Sequence, residues 1–378
     1  MISLYIHIPF CKKKCSYCDF CSYTDLELRD RYIDTIIKEI ILYSKTLDDK
    51  SVKTIFIGGG TPSLLSSKNL NSIFKCIYDN FEVITGAEIS IEANPESINM
   101  DFLHSCLSNG INRLSIGVQS LDDKVLKSIS RIHNKCMALD AVQNAVIAGF
   151  KNINVDLIYG LPNQDLNSLL STISEIASYN ITHISAYNLI VENGTKLKKF
   201  IETGEITIPD EDLQIAMYHA VRDALEKQDF FQYEISNYSK PGYECKHNLT
   251  YWEHSDYLGF GVAAHSFLKI NSSFIRFYNP KSIKKYFENI ENNLIFQNQK
   301  VIPFEELEFE RIMLGFRLVD GFSIRKFNKD FSCDFIKKYS SQIVELKNED
   351  LIEINNDRIR LTPRGLEIEN SILLKFMQ

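Results

Sequence analysis

The sequence predicts an α/β protein that begins with a partial (β/α) barrel of six units and continues into two smaller regions. Short runs rich in β-branched residues recur along the first half of the chain, and longer segments with helical periodicity lie between them. Alternating strands and helices form right-handed βαβ units and therefore a parallel sheet. A complete barrel has eight units, two more than are predicted here. The six runs lie at 3–10, 54–62, 87–95, 113–121, 152–162 and 182–190.

The alternation ends at about residue 205. Amphipathic helices are predicted between the runs, for example at 29–47 and 135–150, and a helix with an acidic, proline-led start is predicted at 209–228. Strand-like and aromatic segments follow at 230–238, 247–252, 256–267 and 274–279. We therefore expect a barrel at 1–205, an extension at 206–298 that completes the site, and a C-terminal domain at 299–378.

The C-terminal domain is expected to be mainly helical. Residues 304–318 have a helical pattern, and residues 351–376 contain two apolar runs that a short polar turn separates before a further helix. This order is typical of a winged-helix domain. Because the chain is acidic and has no evident basic recognition helix, we favour a packing role for this domain over DNA binding.

Composition limits the classes of function. The chain has 378 residues, a net charge of −7 and a pI near 5.7, which argues against general attraction to nucleic acid. No apolar stretch approaches about 18 residues, and the first residues lack the basic and apolar regions of a signal peptide. We expect no membrane span and a cytoplasmic location. In that reducing compartment, nine cysteines are expected to be ligands or core residues rather than disulfides.

Three cysteines crowd the loop after the first predicted strand. Cys11, Cys15 and Cys18 have the spacing C-x₃-C-x₂-C. Zinc sites usually pair two cysteine-containing halves that lie tens of residues apart, whereas a compact group of thiolates is typical of iron–sulfur ligation. Three thiolates on a four-iron cluster leave one iron open to an external ligand. The spacing favours an iron–sulfur cluster, and structural zinc is the alternative.

Glycines and polar residues follow the other predicted strands. Because the carboxyl ends of parallel strands meet at one edge of a sheet, we expect these residues to form a site with the cysteine loop. Glycines there let the backbone approach a ligand without a side chain in the way. The residues are 58–62, Glu92, 94–95, Gln119 and 159–162.

With these motifs, the chain resembles the radical S-adenosylmethionine (SAM) superfamily. Within it, the chain looks like the subfamily of oxygen-independent coproporphyrinogen III dehydrogenase (HemN) and its paralogue, the heme chaperone HemW. The resemblance covers nearly the whole chain. The motifs run in family order: YIHIPFCKKKCSYCDF (5–20), GGGTPS (58–63), SIEANPE (90–96), SIGVQSL (115–121), RIHN (131–134), DLIYGLPNQ (156–164) and GFGVAAHS (259–266).

The resemblance implies a radical SAM barrel in which the three cysteines hold a [4Fe-4S] cluster and SAM binds its open iron. Glu92 or Asp156 suits ribose hydroxyls, and Arg131 suits the methionine carboxylate. Ser130 departs from the family pattern, where a glycine usually precedes R-I-H. The residues implied to contact SAM are Tyr5, Gly59, Gly60, Thr61, Glu92, Gln119, Arg131 and Asp156.

Three features favour a chaperone over a dehydrogenase. One is the cysteine spacing C-x₃-C-x₂-C-x₂-C, where the dehydrogenase pattern resembles C-x₃-C-x₂-C-x-C. HNLTYW (247–252) fits the H-N-x-x-Y-W signature of the HemW family, which implies that His247 is a heme ligand with Tyr251 and Trp252 against the porphyrin. The early first strand also leaves no room for the N-terminal extension of the dehydrogenase. The alternatives are radical decarboxylation of coproporphyrinogen III propionates to vinyl groups, or radical SAM chemistry on an unrelated substrate.

A further set of cysteine and histidine positions stays open. Cys21 gives C-x₃-C-x₂-C-x₂-C, unlike the dehydrogenase pattern, and it either caps the fourth iron when SAM is absent or is inert. Cys245 could share a strand face with His247 and attach heme, although packing is favoured. His265 is expected near the site. Four more cysteines are expected in the helical core: Cys76, Cys106, Cys136 and Cys333.

The expected partners are heme and the acceptor proteins that receive it, among which respiratory proteins are one class. The sequence names neither the acceptor nor the electron donor. A homodimer and transient contact with a membrane surface are compatible with it, although no basic amphipathic helix points to the membrane.

Overall fold

Six parallel strands alternate with helices over the first half of the chain, as predicted. The structure is a computed structural model that describes residues 1–271 and 273–377. The strands are β1 (Ile2–Ile8), β2 (Ser51–Gly59), β3 (Glu82–Ala93), β4 (Arg113–Gln119), β5 (Asn152–Tyr159) and β6 (His183–Asn188). The helices between them are α1 (Arg29–Ser44), α2 (Ser67–Asn80), α3 (Met100–Ser108), α4 (Asp123–Ser128), α5 (Lys135–Ala148) and α6 (Leu166–Ala177).

The extension adds strands to both ends of this sheet. Helix α7 (Lys196–Glu202) precedes the extension, and strand β12 (Lys300–Val301) follows it directly. The elements of the extension itself are α8 (Glu211–Glu226), β7 (Phe231–Glu234), β8 (Asn237–Ser239), α9 (Lys246–Trp252), β9 (Tyr257–Phe260), β10 (His265–Ile270), β11 (Ser273–Tyr278) and α10 (Ile283–Glu291). In the described chain, the barrel strands and the added strands together form one sheet of order β12-β11-β10-β9-β1-β2-β3-β4-β5-β6-β8-β7. β9 pairs parallel with β1, and β8 pairs antiparallel with β6.

The predicted strand-like segment at 247–252 is wrong, because these residues form helix α9. The carboxylate of Glu88, on β3, accepts hydrogen bonds from the backbone N–H groups of Lys246 and His247, each at 3.0 Å. A negative group at a helix N-terminus satisfies N–H groups that have no partner within the helix. Cys245 directly precedes this helix, so Cys245 and His247 do not share a strand face.

The C-terminal part has a core of its own, built largely from phenylalanines such as Phe322, Phe327 and Phe335. Strands β13 (Phe322–Ser323), β15 (Arg358–Leu361) and β14 (Ile352–Asn355) form a three-stranded antiparallel sheet, as expected for a winged-helix-like fold. The elements are α11 (Phe304–Phe316), β13 (Phe322–Ser323), α12 (Ile324–Phe331), α13 (Phe335–Lys338), α14 (Ser340–Asn348), β14 (Ile352–Asn355), β15 (Arg358–Leu361), α15 (Pro363–Glu367) and α16 (Glu369–Leu374).

Side chains along the barrel strands point alternately to the hydrophobic core and to the site. On β1, Leu4, Ile6 and Ile8 are fully buried in the large hydrophobic core, whereas Tyr5 lines a cavity. Successive side chains of a strand point to opposite faces, so one face of the sheet packs on helices and the other carries the functional groups. Across residues 1–271 and 273–377, no helix is both long and apolar enough to cross a membrane.

Candidate functional site

A cavity of about 580 Å³ opens where the barrel strands end. It brings together nearly all the residues that the sequence predicted for the site: Tyr5, Cys11, Cys15, Cys18, Gly59, Gly60, Glu92, Gln119, Arg131, Asp156 and His247. Thr61 does not line it. The Thr61 hydroxyl lies 3.6 Å from Cys11 Sγ and accepts a hydrogen bond from Asn94, so it supports the cysteine loop from behind.

The cysteine loop is held by backbone hydrogen bonds at several points. Cys11 N–H donates to the carbonyl of Tyr23 at 2.9 Å, and Ser16 N–H donates to Ile129 at 3.2 Å. The Ser16 carbonyl accepts from Leu197 N–H at 2.8 Å. The protein therefore fixes the path of this loop through contacts with three separate segments, which orients the cysteine side chains towards the cavity.

The three thiols suit a cluster better than a single ion. All three are half-buried and line the same cavity, and burial raises the pKa of Cys11 and of Cys18. Arg131 Nη1 lies 3.5 Å from Cys15 Sγ, so a positive charge lies directly beside the cysteine loop. Among the described residues, no three Cys, His, Asp or Glu side chains converge on one ion position. Thiolates on a four-iron cluster each bind a different iron, so they need not converge.

The glycine-rich segment after β2 packs against the strand that leads into the cysteine loop. Gly60 N–H donates to Ile8 and Thr61 N–H donates to Phe10, both at 2.8 Å. Gly59 has φ 112° and its N–H donates to Glu92 at 2.9 Å. A Cβ on Gly60 would lie 2.8 Å from the Ile8 and Phe10 carbonyl oxygens. These glycines thus allow close strand packing, and their N–H groups are taken by protein acceptors.

Arg131 joins the ends of two strands, β3 and β4, to the cysteine loop. Besides Cys15, its guanidinium donates to Asn94 Oδ1 at 2.8 Å and to the carbonyl of Gly117. The preceding Ser130 has φ 62°, in the left-handed region that favours glycine. The geometry explains why the family pattern has glycine there, and the chain accommodates serine without displacing Arg131 from the cavity. Gln119 also lies in this region, at φ 67°.

Two half-buried carboxyl groups, those of Glu92 and Asp156, line the cavity. Burial, with Asp156 nearby, raises the pKa of Glu92 to about 7. Burial likewise raises the pKa of Asp156, which accepts hydrogen bonds from Asn154 at 2.7 Å and Ser115 at 3.1 Å. Two like charges in one desolvated space disfavour ionisation of both. The pair can therefore accept hydrogen bonds from ligand hydroxyls or donate one when a proton is bound.

His247 lies on α9 and lines the same cavity. It is 1% exposed, and burial lowers its pKa to about 3, so its ring is neutral. Its Nδ1 lies 2.8 Å from the hydroxyl of Thr54, and its Nε2 lies 2.9 Å from the hydroxyl of Tyr251. Tyr251 lines the cavity as expected, but Trp252 does not. The ring of Trp252 instead packs under Arg317, whose Cζ lies 4.4 Å from the ring centroid.

The other cysteine and histidine positions lie outside the cavity lining. Cys245 is fully buried, and burial raises its pKa to about 12. Cys21 Sγ lies 3.4 Å from the carbonyl of Lys281, and His265 is exposed and stacks on Tyr278. The expectation of a buried helical core position is confirmed for Cys76 and Cys106. It is wrong for Cys136, which is exposed, and for Cys333, which lies in a bend.

Sequence reasoning missed several cavity residues. Arg113 begins β4 and lines the cavity, and its signal was a charged residue at the start of a strand that is buried along its whole length. Phe20 and Ile190 line the cavity although they are 66% and 69% exposed, and Lys13 and Lys14 accompany them. These four residues lie in loops, where no periodicity indicates which way a side chain points.

Comparisons with known proteins agree with this geometry. Residues 5–176 match the Radical SAM superfamily, and residues 302–368 match the HemN C-terminal domain. The structure of coproporphyrinogen III oxidase (HemN) from Escherichia coli has the same fold, with a TM-score of 0.85 and 22% identity over 99% of this chain and 89% of that one. The fold and the cysteine site therefore define a protein of the radical SAM type.

Curated relatives narrow this class. "Heme chaperone HemW" of Lactococcus lactis is 33% identical over 99% of this chain and 97% of its own length. The protein of that name from Bacillus subtilis is 33% identical over 100% and 99%, and one from Buchnera aphidicola is 35% identical over 100% and 98%. The chain belongs to the HemW family of heme chaperones.

Proposed function

We propose that this protein binds heme and passes it to acceptor proteins, using a radical SAM core that holds a [4Fe-4S] cluster and SAM. The observation that carries the proposal is the position of His247 in the same cavity as the three cysteines. Similarity to HemW relatives along the whole chain supports it. We further propose that the protein acts in the cytoplasm and needs no nucleic acid.

The protein's own residues divide the cofactor task. Cys11, Cys15 and Cys18 would hold the cluster, and Arg131, beside Cys15, would attract a carboxylate. Glu92 and Asp156 would face ligand hydroxyls. The bound cluster and SAM together would supply one-electron chemistry, and burial of the site would keep water away from it.

The hydrogen-bond pattern favours the His247 tautomer that can ligate iron. Thr54 donates its hydroxyl proton to Ser3, so it accepts from Nδ1–H of His247. The Ser3 hydroxyl can in turn donate a hydrogen bond to the Thr250 hydroxyl, which donates to the carbonyl of Lys246. In this chain of hydrogen bonds, Nε2 of His247 carries no proton, so its lone pair accepts a hydrogen bond from the Tyr251 hydroxyl. Heme would replace that hydroxyl as the partner of Nε2.

The exposed end of the cavity suits a flat apolar ligand with acidic groups. Phe20 and Ile190 offer apolar surface there, and Lys13 and Lys14 offer positive charge beside it. A porphyrin has an apolar ring and two propionates, so both features suit this end as the entrance through which heme would reach His247.

The test is an anaerobic heme titration of the cluster-loaded protein, followed by its Soret band. We expect saturable one-to-one binding that His247→Ala abolishes or weakens by at least about tenfold, because the residue that would hold the heme iron is removed. His104→Ala, at an exposed position on α3, serves as the matched control and should bind like the unaltered protein.

Absence of heme binding by the unaltered protein, or binding indifferent to His247, would contradict the proposal. The next assay would then be anaerobic turnover of coproporphyrinogen III, the alternative that the sequence left open. Conversion of propionates to vinyl groups in that assay would establish a dehydrogenase.

A further inference from the structure

Arg113 is a charged residue of the cavity that has no role so far. Its side chain is among the largest fully buried ones of the protein, and it lines the cavity. Within residues 1–271 and 273–377, its Nε has no hydrogen-bond partner, and no ion pair includes its guanidinium. Arginine stays protonated in proteins, so a buried guanidinium without direct partners is unfavourable unless a ligand supplies them.

The carboxylates around Arg113 are directed to other donors. Glu88 and Asp156 lie close enough to attract the guanidinium through space. Glu88, however, accepts the N–H groups at the start of α9, at 3.0 Å each. Asp156 accepts from Asn154 and Ser115. The surrounding charge makes burial of Arg113 tolerable, and the planar donor set of its guanidinium remains available.

That donor set selects the class of ligand. Guanidinium groups bind carboxylates through two parallel N–H···O hydrogen bonds, a geometry that neither a hydroxyl nor a lone carbonyl matches. A carboxylate is therefore the expected partner. Two ligands of the proposed function carry one: the porphyrin, through its propionates, and SAM, through its methionine part.

The position of Arg113 distinguishes these two sources. Arg113 begins β4 and Gln119 ends it, so about 20 Å of extended backbone separates them at roughly 3.3 Å per residue. The cysteines and Arg131 gather at the Gln119 end, where Arg131 also contacts Gly117 and Cys15. His247 lies towards the Arg113 end, because its Nδ1 pairs with Thr54 in the first half of β2.

We propose that Arg113 binds one propionate of the heme whose iron faces His247. This inference rests on the proposed function and adds a residue that recognises the acidic edge of the porphyrin. It assigns Arg131 and Arg113 to different ends of one cavity, the first beside the cysteine loop and the second beside α9.

The experiment compares heme with heme dimethyl ester, in which both propionates are neutral, by anaerobic Soret titration. The unaltered protein should bind heme about tenfold to a hundredfold more tightly than the ester, the usual range for a charged hydrogen bond. Arg113→Met should bind both with similar, weaker affinity, and Arg113→Lys should keep part of the preference. Arg364→Met, at an exposed position, should leave the ratio unchanged.

Each other outcome has a distinct meaning. Failure of the unaltered protein to bind either compound would overturn the proposed function itself. Equal binding of heme and ester by the unaltered protein would overturn only the role of Arg113, and this comparison stands even if Arg113→Met does not fold. Parallel titrations with SAM and decarboxylated SAM test the second carboxylate. If Arg113→Met changes that ratio and leaves the heme ratio intact, the propionate assignment is wrong.

Discussion

Gly59 is constrained by its backbone and by its neighbour. Its φ of 112° lies where side chains are strained, and a Cβ there would lie 2.4 Å from the ring of His7. The His7 ring hydrogen bonds to the hydroxyl of Tyr5 at 3.0 Å and to the carbonyl of Cys21 at 2.8 Å. A substitution at Gly59 would therefore displace a ring that joins β1 to the end of the cysteine loop.

We expect Gly59→Ala to destabilise the protein by about 3 kcal/mol, of which roughly 1 kcal/mol comes from the backbone and the rest from the collision with His7. Gly86→Ala is the matched control, because Gly86 has φ 78° but no atom within 4 Å of its Cβ position. Urea unfolding of both variants would separate the two effects. Equal destabilisation would show that His7 moves aside easily.

At the residue scale, the sequence was sufficient to predict which functional side chains lie together, but not which groups they form hydrogen bonds with. The motifs predicted that the cysteines, Glu92 and Arg131 share one cavity. They could not predict that the N–H groups of Gly60 and Thr61 are taken by β1 and the residues after it. They also could not predict the partners of His247, because Thr54 lies almost two hundred residues away in sequence.

At the element scale, helix α1 is tied to the extension through one buried carboxyl group. Glu39 is fully buried and accepts hydrogen bonds from Gly261 N–H at 2.8 Å, Asn279 at 2.6 Å and Tyr286 at 2.7 Å. These donors come from the turn after β9, the end of β11 and α10. Burial outweighs the three donors and raises the pKa of Glu39 to about 7.

This pKa predicts a specific dependence of stability on pH. Glu39 ionises near pH 4.5 when unfolded and near pH 7 when folded. Its contribution is therefore fully present below about pH 4.5 and is lost as the pH rises through about 7, by an amount of order 3 kcal/mol. Glu39→Gln should lower the stability at pH 5 but flatten this fall between pH 4.5 and 7. Chemical unfolding at several pH values between 4.5 and 7 measures the free energy of unfolding of both proteins.

The matched control is Glu82→Gln, at an exposed position on β3, which should keep the pH profile of the unaltered protein. If the free energy of unfolding of Glu39→Gln falls with pH as steeply as that of the unaltered protein, other groups, such as Glu92, dominate the pH dependence.

Secondary structure was predictable where the local sequence pattern determines it. It was not predictable where a residue distant in sequence determines it. The β-branched runs located all six barrel strands, since their apolar faces pack on helices. Helix α9 was missed because its aromatic residues favour strands, whereas Glu88 on a distant strand supplies the acceptor for its first N–H groups. No local pattern contains that information.

At the scale of the whole molecule, the C-terminal domain holds the end of α9. Arg317, at the end of α11, packs over Trp252 and lies 4.0 Å from both Glu234 and Glu369. His254, just beyond α9, lies 3.2 Å from Glu310. The helix that carries His247 is thus fixed by Glu88 at its start and by α11 at its end.

We expect Arg317→Met to loosen α9 without changing the cavity lining. Loss of the contact with Trp252 should cost about 1 to 2 kcal/mol, and hydrogen exchange of residues 246–254 should accelerate about tenfold or more. Arg325→Met, at an exposed position of α12, is the control and should leave this exchange unchanged. If exchange accelerates equally everywhere, Arg317 acts on global stability alone.

The place of β1 in the sheet affects how the chain is made. β1 lies between β2 and β9, and Ser3 pairs with Tyr257, about 250 residues later. At synthesis rates of about 5–20 residues per second, one edge of β1 stays without its partner for roughly ten seconds to a minute on the ribosome. An open apolar edge invites wrong pairing with other chains. The cysteine loop follows β1 directly, so its surroundings are completed only when translation has passed β9.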